Sequence, residues 1–290
     1  MTIENAFAAT RRILSAIDLP EDWRGRINVM VDVGEAVWQK LLAERERHQR
    51  RELKKKPRLV DKEMSIFIDN LLDQNDQTRN DGLIIEDLPD ATRVVPSFNW
   101  LVDPVDNTDA YVKDANLEGA NDFGLGLMLF QCDTGEVIAS LFLLPAHGTV
   151  FLSVGSRAYR DAEPLKPQTM TSRKAVVRRP RKWEEVPQNI KELYTLAKAL
   201  FQFVGYQVDP GKILTALDVL SLAEHKEPAI FLYYAKGWDF LIAASVAHAV
   251  GAKVTYQTGE QVKQVFPLSE DLISKASRGE RVLFLVGWPE

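Results

Sequence analysis

The sequence predicts a mixed α and β protein, α+β in its first half and α/β in its second. Three observations predict it. Long stretches with helical spacing come first, a series of short β-branched and aromatic runs between turn residues follows, and helical and strand-like segments then alternate towards residue 290. The length allows a large core, arranged as one big domain or two lobes.

Arg26 to His48 carries Ile27, Val31, Gly34, Val37, Trp38, Leu41 and Leu42 at helical spacing, which predicts a long amphipathic helix. A basic stretch follows from Glu44 to Arg58 until Pro57 interrupts the pattern. Acidic residues interleave with the basic ones and aromatics are absent, so it reads as a solvated helix end and loop rather than a nucleic-acid patch. Asp61 to Leu72 places Met64, Phe67, Ile68, Leu71 and Leu72 on one face of a second helix. Asn80-Asp81-Gly82 then leads into Leu83-Ile84-Ile85, which has the length and branching of a buried strand.

Phe98 to Val102 reads as a further strand that stops at Asp103-Pro104. The runs 123–131, 137–144 and 149–153, separated by Asp133-Thr134-Gly135 and His147-Gly148, suggest an antiparallel meander. Around 162–192 the chain turns polar and Pro-containing, marking a junction between an N-terminal α+β lobe (1–165) and a C-terminal α/β lobe (166–290). Helical spacing returns at 189–205 and 213–224, a strand is expected at 229–234, a helix at 238–250 after Gly237, and a closing strand at 282–286.

Composition narrows the function classes. Hydrophobic residues make up 46% and charged residues 27%, which argues against disorder. A net charge of −5 argues against wholesale binding to nucleic acid or to an anionic membrane. Cys132, the one cysteine, can form neither an internal disulfide nor a thiolate metal site, and within an apolar run it reads as a structural thiol. Met1 to Asn5 lacks the basic segment and apolar run of a secretory leader, and no run approaches the roughly 20 apolar residues of a membrane span. A soluble cytoplasmic protein is expected. The four histidines, His48, His147, His225 and His248, make no metal motif, and the basic segment 173–182 reads as a solvated surface, with recruitment of an anionic substrate the alternative.

The segment Trp100-Leu101-Val102-Asp103-Pro104-Val105-Asp106-Asn107-Thr108 carries chemistry. Two carboxylates three residues apart, the first stiffened by a proline, can converge on hard cations that prefer oxygen ligands. On their own they fit a capped turn better than a metal site. Glu86-Asp87 ends another strand, and Trp238-Asp239 begins a helix whose N-terminal amides favour anions.

With these residues the sequence resembles the inositol monophosphatase superfamily, which includes fructose bisphosphatases and bisphosphate nucleotidases. Trp100 to Thr108 matches that family's Trp-x-x-Asp-Pro-[Ile/Val]-Asp-Gly-Thr signature except at Asn107. Ile84-Ile85-Glu86-Asp87 stands for Ile-Gly-Glu-Glu, and Trp238-Asp239 with Ala243-Ala244 for the second signature. Phe123-Gly124 and Gly155-Ser156-Arg157-Ala158 fall between them in the expected order. The resemblance implies a layered α-β-α-β-α sandwich of the sugar phosphatase type, a homodimer, and hydrolysis of a small phosphorylated metabolite.

The resemblance also implies site residues. Glu86, Asp103, Asp106, Asp239 and the Val105 carbonyl would hold two or three Mg²⁺ ions, and Thr108 with Asp61 would position water alongside Glu86, with Glu63 the nearby alternative to Asp61. Asp103, Asn107, Thr108, Asp239 and Lys236 would meet substrate, the phosphate resting on the amides of Asn107 and Thr108. Asn107 for Gly and Ala235 for Glu depart from the pattern and point away from inositol phosphate itself, while Ala110 for Asn and Ala249 for Glu mark a divergent member. Lys236 reads either as a solvated loop residue or as a contact for a second phosphate or a carboxylate. The alternatives are a 3′-phosphonucleotide phosphatase and a catalytically weak relative that binds a phosphorylated ligand.

Overall fold

Residues 3–49, 57–113, 121–166, 174–177, 183–203, 207–209, 215–224, 230–258 and 261–287 are described in a computed structural model. Three helices come first: α1 (Ile3–Ala16), α2 (Glu21–Gln49) and α3 (Pro57–Asp73). They are followed by β1 (Gly82–Ile85), β2 (Phe98–Asp106), the single turn α4 (Thr108–Tyr111), β3 (Gly124–Gln131), β4 (Val137–Leu144), β5 (Thr149–Val154), β6 (Arg157–Arg160) and β7 (Glu163–Pro164). The remainder contributes β8 (Lys174–Val177), α5 (Gln188–Phe203), β9 (Gln207–Asp209), α6 (Thr215–Ala223), β10 (Ile230–Lys236), α7 (Gly237–Ala249), β11 (Lys253–Thr258), β12 (Gln261–Gln264), α8 (Glu270–Ser277) and β13 (Arg281–Gly287).

These elements form five layers. One sheet runs in the order β1-β2-β3-β4-β5-β6-β7 and the other in the order β12-β11-β13-β10-β8-β9. α1, α2 and α3 cover the outer face of the first sheet, α6, α7 and α8 lie between the sheets, and α5 covers the outer face of the second. Side-chain alternation along the strands produces this layering. Leu83, Ile85, Trp100, Val102, Leu125 and Leu127 point to the core under α1–α3, whereas Ile84, Leu101, Met128 and Phe142 point to the core around α7. Phe231, Tyr233, Phe284 and Val286 close that middle core from the second sheet, while Leu232 and Leu283 face α5. Strands buried on both faces read as continuous apolar runs, which is why they were visible without alternation. α7 is apolar almost all round because it packs between two sheets. At Gly126 a Cβ would lie 2.8 Å from Ile242 Cδ1, so glycine there permits the close approach of α7 to β3.

Several expectations need correction. β2 does not stop at Asp103-Pro104 but continues to Asp106. Asp103 pairs with Gly126 and Asp106 with Gly124, so two residues of β2, Pro104 and Val105, fall opposite one of β3, Leu125. Pro104, which has no N–H to donate, falls inside this bulge. Pro57 begins α3 rather than only ending a pattern, as suits a residue with a preset φ and no N–H to satisfy. Cys132 is partly buried in the turn after β3 and not within the strand. Lys174–Val177, inside the basic segment, forms β8; residues 173 and 178–182 lie outside the described residues, as does His225. α1 and α8 were not anticipated, because each buries only a narrow stripe: Ala6, Phe7, Thr10 and Leu14 in one, and Leu272, Ile273 and Ala276 in the other. No helix among the described residues is long and apolar enough to cross a membrane.

A buried ion pair fixes the start of the parallel β1–β2 pair to α2. Arg26 reaches both oxygens of Asp81, with Nε 2.9 Å from Oδ2 and Nη2 3.0 Å from Oδ1, and the Trp100 indole N–H donates to Asp81 Oδ2 at 3.0 Å. Asp81→Ala leaves the Arg26 guanidinium without its carboxylate and the Trp100 indole without its acceptor. Chemical denaturation is expected to show a loss of about 3–5 kcal/mol.

Candidate active site

β1 and β2 are parallel neighbours in register, Ile85 beside Val102, so the residues that follow emerge at the same edge of the sheet. These are Glu86 and Asp103, and the Glu86 amide donates to the Val102 carbonyl. Asp103 shares the parity of Leu101 and faces the middle layer, where the first turn of α7 brings in Asp239. Oxygens of Glu86, Asp103 and Asp239 all lie within 4.8 Å of one another. Apolar strands and a buried helix thus bring together three acids separated by as much as 153 positions in the chain, 239 − 86.

The electrostatics of this cluster are unfavourable for anions alone. Asp103 is buried and its Oδ1 has no hydrogen-bond partner among the described residues. Burial, then the charges of Asp106, Glu86, Asp239 and Asp61, hold its carboxyl well above the usual carboxylate range. Burial and the neighbouring Glu86 push Asp239 up to about 7, although Lys236 and Arg281 pull it the other way. An all-carboxylate oxygen set with an unpaired buried oxygen suits a hard divalent cation.

Beside the triad, Thr108 Oγ1 donates to Asp61 Oδ1 at 2.7 Å and also lies 3.1 Å from the Val105 carbonyl. Asp61 is buried in α3, whereas Glu63 is exposed. Burial pushes the Asp61 carboxyl up to about 7, the Thr108 hydrogen bond opposing and the charges of Glu86 and Asp87 adding to the rise. Asn107 sits at φ 62° and ψ 55° in the left-handed region, which Asn tolerates better than most residues, and its Nδ2 donates to the Asp122 carbonyl at 2.6 Å. Ala110 and Ala235 are buried and offer no ligand.

Two contacts escaped the sequence pattern. Ser65 Oγ donates to the Glu86 carbonyl at 2.6 Å, tying α3 to the end of β1. Its signal was a polar residue one turn after Asp61 on an otherwise apolar helical face. Lys236 is not solvated on a loop: its Nζ lies 3.0 Å from Glu86 Oε1. Outside the cluster, His147 pairs with Asp122, and His248 bonds the Ala252 carbonyl and stacks on Phe266.

A model of the inositol monophosphatase family matches residues 27–283. The chain belongs to this family. Its fold recurs in inositol monophosphatase II from Staphylococcus aureus, 16% identical with a TM-score of 0.62 over 89% of this chain and 88% of that one. The same holds for the extragenic suppressor protein SuhB from Bartonella henselae, at 17%, 0.62, 91% and 94%, and for inositol monophosphatase from Anabaena (Nostoc) sp. PCC 7120, at 14%, 0.60, 91% and 91%. SaIMPase-II has been solved with inositol monophosphate and with 2′AMP bound. At these identities the likeness is one of fold. None of the curated proteins compared with this chain matches it.

For this family member the raised acids set a pH dependence. Asp61 and Asp239 titrate at about 7 when folded and near 3.8 when unfolded, so the folded state holds the extra protons between those values. Their favourable contribution is complete below about pH 4 and is lost as pH rises to about 7. In chelator, melting against pH is expected to show a loss on the order of 2–5 kcal/mol across that interval. Asp103→Asn, which removes the most strongly buried acid, is expected to raise stability in chelator at pH 8.

Proposed function

We propose that the chain is a Mg²⁺-dependent phosphatase that hydrolyses a phosphate monoester of a small metabolite, a sugar, cyclitol or nucleotide phosphate. The observation that carries this reading is the buried, unpaired Asp103 Oδ1 within the Glu86–Asp103–Asp239 triad, because a buried carboxylate without a partner is strongly unfavourable until a cation neutralises it. Glu86, Asp103, Asp106, Asp239 and the Val105 carbonyl would hold two or three Mg²⁺ ions. When bound, such ions stabilise charge on the phosphoryl oxygens and acidify water.

The chain's own groups supply the rest. Thr108 Oγ1 donates to Asp61 and so keeps its lone pairs for a proton from the attacking water, which it orients. Asp61, raised to about 7, accepts a proton near neutral pH through that hydroxyl. The water oxygen bonds to phosphorus, the bond from phosphorus to the ester oxygen breaks, and the departing alkoxide oxygen takes up a proton from solvent water, which balances the proton passed to Asp61. Asp103, Asn107, Thr108, Asp239 and Lys236 border the substrate, with amides of Asn107 and Thr108 towards the phosphate.

A substrate with a second anionic group, such as a 3′-phosphonucleotide, is the second reading. It is favoured by Lys236 and Arg281, which stand directly opposite each other across β10 and β13 beside Asp239. Two lobes (1–165 and 166–290) that meet at the acids, a homodimer and a cytoplasmic location belong to the same proposal.

Phosphate release from a panel of phosphorylated metabolites tests it. Release is expected to require Mg²⁺, to vanish with Asp106→Asn, and to fall about 10²–10⁴-fold with Thr108→Ala or Asp61→Asn. Robust release in excess chelator would sink the reading, and ligand binding without turnover across the panel would mark a catalytically weak relative. Preference for adenosine 3′,5′-bisphosphate over monophosphates would select the second reading.

A further inference from the structure

Lys236 engages two of the three triad acids at once. Its side-chain ammonium lies 3.0 Å from Glu86 Oε1, and its charge also acts on the Asp239 carboxylate. The ammonium also stands 4.9 Å from the centre of the Trp238 ring. That ring is buried and backed by Gly279, where a Cβ would lie 2.9 Å from Cη2. Lys236 is at once the last residue of β10 and the N-cap of α7, so the backbone holds it at the mouth of the cluster.

We propose that Lys236 is a built-in counter-cation of the triad that competes with a divalent cation for Glu86, so that this chain holds its Glu86-ligated ion more weakly than the same carboxylates would without the lysine. The inference rests on reading the triad as a metal centre. A divalent cation drawing on Glu86 shares a carboxylate whose Oε1 already accepts a charge-assisted hydrogen bond, and it meets a like charge a few ångströms away. Burial opposes the charged ammonium, but Glu86 and Asp239 more than offset that, and the lysine pKa lies above its ordinary value. An ammonium displaced from Glu86 has the face of Trp238 beside it, and from there it is free to meet an anionic group of a substrate.

Calorimetric titration of metal-stripped, full-length protein with Mg²⁺, supported by Mn²⁺ binding followed by electron paramagnetic resonance, tests this in four forms: wild type, Lys236→Met, Lys236→Arg and Asp103→Asn. Lys236→Met is expected to bind about tenfold more tightly, equivalent to about 1.4 kcal/mol. Lys236→Arg, which keeps the cation, is expected to stay near wild type, and Asp103→Asn to lose affinity. Lys236→Met is also expected to melt below wild type in chelator, with the deficit shrinking in Mg²⁺; a lysine with only a packing role would lower both melts equally. Equal or weaker binding by Lys236→Met overturns the proposal and leaves the metal centre standing. If none of the four binds either ion, the metal-centre reading itself fails and the competition falls with it.

Discussion

Burying several carboxylates at one point is the constraint around which this fold is arranged. In a medium of low polarity Asp103 and Asp239 resist ionisation by burial and resist it further beside their acidic neighbours, so a cluster of Glu86, Asp103, Asp106 and Asp239 persists only if the scaffold leaves the acids nowhere else to go. The parallel register of β1 and β2 sets Glu86 and Asp103 side by side at their C-terminal ends, the end of a parallel pair where ligands bind in open α/β sheets. The bulge at Pro104 returns the strand to pairing at Asp106. α7 cannot slide to relieve Asp239, because it is enclosed by both sheets and presses on Gly126. Its N-terminal turn also sets partial positive charge beside Asp239, and Lys236 and Arg281 add theirs, so scaffold and electrostatics act on the same carboxylate.

Much of this was written locally in the sequence. Buried strands such as Leu83–Ile85 and Phe98–Val102 announce themselves by apolar runs ended by acids, and the spacing from Asp103 to Thr108 carries the family signature. Extent was harder to read than existence. A proline usually ends a strand, and only the pairing of Asp106 with Gly124 reveals that β2 passes through Pro104 as a bulge. β8 was hidden because three apolar residues, Ala175, Val176 and Val177, stand between basic ones, and the strand gains its burial from β10 rather than from its own pattern.

Long-range polar contacts were the least legible. Nothing within a few residues of Lys236 points to Glu86, 150 positions earlier; the contact arises because one acid ends β1 and the lysine ends β10, strands of different sheets that meet across α7. The same holds for Arg26, Asp81 and Trp100, whose partnership depends on where α2 crosses the start of the first sheet. Single polar residues on apolar faces, Asp61 and Ser65 on α3, are the nearest thing to a local signal. They are buried because each meets a polar group at the edge of the first sheet, Thr108 in one case and the Glu86 carbonyl in the other.

The arrangement also separates two kinds of acid. Glu86, Asp103 and Asp239 are close enough to share a cation, and neutralising them as a group removes much of the repulsion that raises Asp103 and Asp239. Asp61 is different: burial is the largest cause of its rise, the charges of Glu86 and Asp87 come after it, and its direct partner is a hydroxyl. A cation in the triad would lower Asp103 and Asp239 towards ordinary carboxylates while leaving Asp61 the larger part of its own rise. Environments that push neighbouring carboxyl groups apart in pKa can divide their roles; on the proposed reading the triad would serve as a fixed anionic cage and Asp61 would exchange a proton near neutrality. Thr108 joins the two, since its hydroxyl bonds Asp61 while its backbone continues directly from the Asp103–Asp106 segment.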